Sequence, residues 1–185
     1  MKKVFILALL FTPLVLFAQN SIQLETQAYP AGVIPGVRYD FNIGNNSYLT
    51  SRIGYNFTDR QDFGKNDNEK GGGPGFGIGY VKSELIIPNL STHIRADLWF
   101  MDIDWRDSQT ICGTVPPCFE QDVTGTTEII VLQPTVGIEY SIPISKNLFL
   151  DPNLSFGYEI NIKTKGKEVG EGAILLLGLN LGYRF

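Results

Sequence analysis

Beyond residue 20, apolar and polar residues alternate with a period of two, in segments of about ten residues separated by clusters rich in Gly, Pro, Asn and Asp. Successive side chains of a strand point to opposite faces, so this period predicts a sheet with one greasy face and one polar face. No unbroken apolar stretch of about 18 residues follows residue 20, so no transmembrane helix is available there. If this chain enters a membrane it does so with strands, and about ten residues is the length a tilted strand needs to cross one.

Eight strands are expected: Ile22 to Tyr29, Gly36 to Ile43, Tyr48 to Phe57, Gly75 to Ile87, Ser91 to Asp104, Thr126 to Ile142, Leu148 to Ile162, and Ala173 to Phe185. The connectors between them alternate in length, as an up-and-down meander requires. Short turns at Gly44 to Ser47, Pro88 to Leu90 and Pro143 to Asn147 belong to one end. Longer polar loops at Thr58 to Pro74, Trp105 to Gly125 and Lys163 to Gly172 belong to the other, with Pro30 to Pro35 as a further turn there. Ile22 to Ile43 also reads as one long bent strand, which would lower the count to seven.

The greasy face carries Val37, Tyr39 and Phe41 on one strand, Ile94, Leu98 and Phe100 on another, and Leu175 through Phe185 at alternate positions of the last. The opposite face carries Arg38, Asp40, Arg52, Arg95, Asp97, Glu139, Asp151, Glu159 and Arg184. Alternation alone does not say which face looks inward, since a water-soluble barrel has the same period. Two features decide it. Aromatic residues gather near the strand ends of the greasy face, as they do where a barrel wall meets the two membrane interfaces. The polar face has few lysines and charges of both signs, which suits a closed interior where each charge must find a partner. The expected fold class is therefore all-β: an eight-stranded antiparallel up-and-down transmembrane β-barrel.

Met1, Lys2 and Lys3 precede an apolar run from Val4 to Phe17, and Phe17-Ala18-Gln19 offers a small residue for cleavage, after Ala18 or after Gln19. Residues 1–18 are read as a signal peptide and residues 19–185 as the barrel domain. Removal of the leader leaves 13 basic against 19 acidic residues, a balance that argues against a nucleic-acid partner. Cys112 and Cys118 are the two cysteines, and in an exported chain they are expected to form a local disulfide.

The last nine residues, Leu177-Gly178-Leu179-Asn180-Leu181-Gly182-Tyr183-Arg184-Phe185, resemble the C-terminal strand of outer-membrane barrels, with the terminal aromatic Phe185 and the aromatic Tyr183 two residues before it. Asn180 stands where that signal favours glycine. As a pattern, residues 20 to 185 are similar to the OmpX and OmpA class of small barrels. The resemblance implies a cell outer-membrane location, contact with outer-membrane lipid and lipopolysaccharide, recognition of Tyr183 and Phe185 by the barrel assembly machinery, and a monomer.

Little in the chain points to catalysis, and neither a catalytic residue, a metal ligand nor a cofactor is expected. His93 is the only histidine and falls near the short-turn end, with no Ser and carboxylate arrangement evident beside it; it reads as a buried structural residue. Asp102, Asp104 and Asp107 lack the glycine and closing glutamate of a calcium loop and read as a solvated rim. Lys163, Lys165 and Lys167 read as solvated loop residues. Gly75, Gly77 and Gly79 recur within a strand rather than before a helix, so they suit packing and not phosphate binding. If Pro88 to Leu90 is the turn, Gly79 faces Trp99 and Gly77 faces Met101, all pointing inward.

An eight-stranded barrel is just wide enough inside for side chains. The expected function is a non-enzymatic barrel with a filled, salt-bridged interior that serves membrane integrity or surface interaction. A narrow pore or ligand-binding barrel, and a lipid A-modifying enzyme, are the alternatives.

Overall fold

The computed structural model describes residues 19–112 and 118–185. The leader read over residues 1–18 lies outside the described residues. Among the described residues nine strands form one antiparallel sheet: β1 Ser21–Tyr29, β2 Gly32–Gly44, β3 Ser47–Asp59, β4 Asn68–Ser83, β5 Leu90–Ile111, β6 Phe119–Tyr140, β7 Ile142–Pro143, β8 Leu148–Lys165 and β9 Gly172–Arg184. Each long strand pairs with its neighbours in sequence, β1 pairs with β9, and β6 pairs with β8 past the two-residue β7. The sheet is thereby a closed ring of eight long strands with no lateral edge, as expected from the alternating connectors. The first hairpin is two strands, reversing at Pro30 and Ala31 with Tyr29 opposite Gly32.

Among the described residues four prolines lie inside the long strands, and their placement explains two shifted boundaries. Pro35 was expected to close a turn and Pro74 to end a loop; both stand mid-strand, opposite Thr26 and Tyr55 respectively. On its other side each meets a break in the ladder, between Val33 and Gly36 towards β3 and between Gly72 and Gly75 towards β5. Pro134 meets the same kind of break towards β8, and Pro152 pairs with Leu179 alone. A residue without an N–H fits a strand where no ladder bond is asked of it.

Another boundary moves in the opposite sense. Leu85, Ile86 and Ile87 were expected on β4, but that strand ends at Ser83 and the three side chains stand exposed in the turn. Ser83 pairs with Ser91, so Gly75 faces Trp99, Gly77 faces Asp97 and Gly79 faces Arg95, a register four residues away from the one expected. The glycines still make room. A Cβ on Gly75 would lie 2.2 Å from the Trp99 ring, and one on Gly77 would lie 1.8 Å from Asp97 Oδ1.

β5 and β6 run far past the rest of the ring. Pairing of β4 with β5 stops at Arg106, and pairing of β6 with β8 stops at Glu128, whereas β5 and β6 stay paired to Ile111 and Phe119. Five residues beyond Arg106 extend the ribbon by roughly 17 Å along its own strand direction. The segment from Trp105 to Gly125, expected as a loop, is largely this ribbon. Both of its faces meet water, so it carries no apolar alternation to announce it. A disulfide joins Cys112 to Cys118 at its end.

The two faces of the wall fall as the pattern demands. Along β1, Ser21, Gln23, Glu25 and Gln27 are buried in the lumen while Ile22 and Leu24 project outward. Around the ring the outward positions include Ile53, Phe76, Ile94, Val136, Phe156 and Leu177, all exposed. Exposed apolar side chains in a continuous belt around a closed sheet require hydrocarbon as their solvent.

Candidate functional site

The lumen is filled in layers. Nearest the short-turn end, Arg38 and Asp40 sit two residues apart on β2 and so share its inner face, with Glu139 reaching them from β6. The guanidinium uses its whole fork: Nε donates to Asp40 Oδ1 at 2.7 Å and Nη2 to Asp40 Oδ2 at 3.1 Å, while Nη1 and Nη2 donate to the two Glu139 oxygens at 2.7 and 2.9 Å. This bidentate geometry suits arginine and no other cation. Gln23 donates to Asp40 Oδ2 at 2.5 Å.

The next layer is a four-charge ring. Arg52 donates to Glu25 Oε1 at 2.5 Å and to Asp97 Oδ1 at 2.8 Å. Arg95 donates to Glu25 at 2.9 and 3.2 Å and to Asp97 Oδ2 at 3.0 Å. Gln27 Oε1 accepts from both guanidiniums, at 2.7 and 2.6 Å. Two cations and two anions cancel, which is the condition for holding ions away from water. Glu25 is the member that the polar-face charges expected from sequence omit. The alternation Gln23, Glu25, Gln27 within β1 was the signal that could have supplied it.

Above the ring the filling turns apolar. Trp99, Met101, Ile103, Ile129, Val131, Ile174, Leu176 and Ile34 form one buried cluster, joined by Val169 from the loop between β8 and β9. Trp99 is 0% exposed, its indole N–H donates to Gln133 Oε1 at 2.9 Å, and the Arg52 guanidinium lies 5.0 Å from its ring centre. This half of the lumen is a small hydrophobic core; the inward direction of Trp99 and Met101 was expected, the rest of the cluster was not.

The loop end is latched by Glu69. Its Oε1 accepts the backbone N–H groups of Lys65 at 2.8 Å and Asn66 at 3.1 Å, and its Oε2 accepts that of Gly170 at 2.8 Å. Arg60 bridges Glu69 at 3.4 Å and Glu159 at 3.0 Å. Two loops are thus tied across the mouth through one carboxylate. Outside it the exposed pair Lys65 and Glu168 lies 2.9 Å apart, which raises the Lys65 pKa and lowers that of Glu168.

Of the nine charges expected to form one network, Arg38, Asp40 and Glu139 form the lower cluster, and Arg52, Arg95 and Asp97 belong to the ring. Glu159 pairs instead with Arg60. Asp151 is buried without an ion pair among the described residues, and Arg184 turns its guanidinium onto the Phe149 ring at 4.8 Å. The partners Glu25, Arg60 and Glu69 were not foreseen.

His93 is buried with Nε2 2.9 Å from Ser155 Oγ, and its Nδ1 is 4.0 Å from Glu139. A serine, a histidine and a carboxylate are therefore neighbours here, which the sequence did not disclose. Both Glu139 oxygens are committed to Arg38, the 4.0 Å separation is too long for a hydrogen bond, and Ser155 is 1% exposed. Substrate has no access to that hydroxyl.

Asp102 and Asp104 face outward at the rim, Asp104 accepts from Thr126 at 2.6 Å, and Asp107 pairs with Lys167. Lys165 pairs with Glu128 at 3.1 Å. Among the described residues no three His, Cys, Asp or Glu side chains are grouped to hold a metal ion. Tyr183 and Phe185 are exposed on the outer face of the wall, with the Phe185 ring centre 6.4 Å from that of Tyr39.

No family model and no curated protein matches the chain. Solved structures do. The N-terminal β-barrel domain of Pseudomonas aeruginosa OprF matches with a TM-score of 0.50 at 14% identity, covering 91% of this chain and 99% of that one. A major outer membrane protein from Thermus thermophilus matches with the same score, identity and coverage. The fold is that of the small outer-membrane β-barrels. With its apolar belt turned outward, the chain is a membrane-spanning β-barrel.

Proposed function

We propose that this protein is a non-conducting, non-enzymatic barrel that serves membrane integrity or surface interaction from within the outer membrane. The observation that carries this reading is the filling of the lumen: a neutral four-charge ring, an apolar layer closed by Val169, and a mouth latched on Glu69. Hydrated ions have no route through an apolar layer of this kind, and the buried Ser155 offers no accessible nucleophile. The disulfide-tied ribbon supports the surface role, because it holds two strand edges clear of the rim.

In this reading the protein works as a monomer in contact with outer-membrane lipid and lipopolysaccharide. The exposed Tyr183 on the final strand and Phe185 directly after it serve the barrel assembly machinery during insertion. The test of the central claim is electrical. Purified protein inserted in a planar lipid bilayer should give no stepwise current, and regular unitary steps would end the filled-lumen reading in favour of a narrow pore.

A further inference from the structure

Below the Arg38 cluster the lumen opens into a cavity of about 250 Å3 at the short-turn end. Arg38, Asp40, Glu139, Asp151 and Gln23 line its inner part. The charges here do not cancel. Arg38 gives its whole fork to Asp40 and Glu139, so one cation already serves two anions, and Asp151 adds a third.

Asp151 is 4% exposed, and its Oδ1 has no hydrogen-bond partner among the described residues. Gln23 is 2% exposed; its amide nitrogen is on Asp40 while its Oε1 has no partner among the described residues. The nearby cations do not answer them. Arg184 lies on Phe149, Lys146 is exposed on the turn, and His93, 4.0 Å from Glu139, does not line the cavity.

Two buried acceptor oxygens and an excess of negative charge around one cavity specify what fits it: a group that brings N–H donors together with positive charge. We propose that this vestibule binds a primary ammonium group, on a small aliphatic amine or on an amine-bearing chain entering from the short-turn side. An ammonium carries three donors on one charge, enough for Asp151 Oδ1, Gln23 Oε1 and one further acceptor. A directly ligated metal dication fits less well. Asp40 and Glu139 are turned to Arg38, and no three acidic, His or Cys side chains among the described residues are grouped as ligands. In outer-membrane barrels the short turns face the periplasm, so the amine would come from that compartment.

The test uses the intact folded barrel in detergent micelles at about pH 8.5, above the ordinary carboxylate range near 4 and below the alkylammonium value near 10.4. Ethylammonium is titrated while the Gln23 side-chain amide signal is followed by NMR. A saturable shift is expected, with a Kd on the order of 1 mM for so small a ligand. Ethanol and Mg2+ at equal concentration should give none. Asp151→Asn should weaken ethylammonium binding about tenfold or more, and Lys146→Ala at the mouth should bind at least as tightly as the parent.

No saturable ethylammonium shift below about 50 mM, an equal response to ethanol or to Mg2+, or unweakened binding by Asp151→Asn would overturn the proposal. So would weaker binding by Lys146→Ala. Should Asp151→Asn fail to fold, the contrast between ethylammonium and its neutral and metal counterparts on the parent protein still decides.

Discussion

Removing the charge from Glu25 while keeping its shape tests whether the four-charge ring holds the barrel together. Glu25→Gln takes one anion from a set of two Arg and two carboxylates, leaving Arg52 and Arg95 to share Asp97. All four side chains are at most 4% exposed, so water does little to screen the leftover positive charge. Breaking a buried pair from one side costs about 3 to 5 kcal/mol, which is the destabilisation expected of Glu25→Gln. Arg95→Met alone leaves the opposite excess and should cost a similar amount. The double variant is neutral again, with Arg52 still on Asp97, so its loss should fall short of the sum by about 2 kcal/mol or more. Reversible urea unfolding in lipid vesicles measures this, read by tryptophan emission, since Trp99 lies against Arg52. A single-variant loss under about 0.5 kcal/mol, or strict additivity in the double, would refute the account of a charge-balanced filling.

Three further outcomes follow from the packing. Gly75→Ala and Gly77→Val place a Cβ against the Trp99 ring and the Asp97 carboxylate, and each should lose about 2 kcal/mol or more in the same unfolding assay. Glu69→Ala frees the loop latch, so hydrogen exchange at the Lys65, Asn66 and Gly170 amides should quicken about tenfold or more while that of β5 beside Trp99 stays unchanged. Cys112→Ser with Cys118→Ser removes a closure of sequence separation 6, worth about 2 kcal/mol to the local ribbon. Limited proteolysis should then cut that ribbon sooner, with no change in barrel unfolding.

The sheet, its closure and the direction of its greasy face were legible because each depends on a repeated two-residue period. A shift of one residue would turn Ile22 and Leu24 into the lumen and Gln23 and Glu25 into lipid, so the pattern tolerates no other register of faces. What remained hidden depended on single contacts. The β4–β5 register was misplaced because Leu85, Ile86 and Ile87 look like strand and serve as turn. Pro35 and Pro74 looked like punctuation, since sequence does not show where a ladder is interrupted. The ribbon was missed for want of a buried face. The charge network was only half legible: faces can be read from parity, but partners such as Glu139 for Arg38, 101 positions apart, are set by the curvature of the ring. Val169 and Glu69 lie in segments read as loop, where no periodicity exists to mark a buried residue.

The seam of the ring joins residues from the two extremes of the barrel, with Ser21 opposite Arg184 and reciprocal backbone bonds between Asn20 and Phe185. A meander can zip its hairpins one by one as it is made, yet its first strand stays raw along one side until the last arrives. During that interval the molecule carries two sticky borders and an apolar surface with no lipid around it, conditions that favour clumping. Closing such a ring therefore favours conditions that keep the chain loosely held until both borders meet.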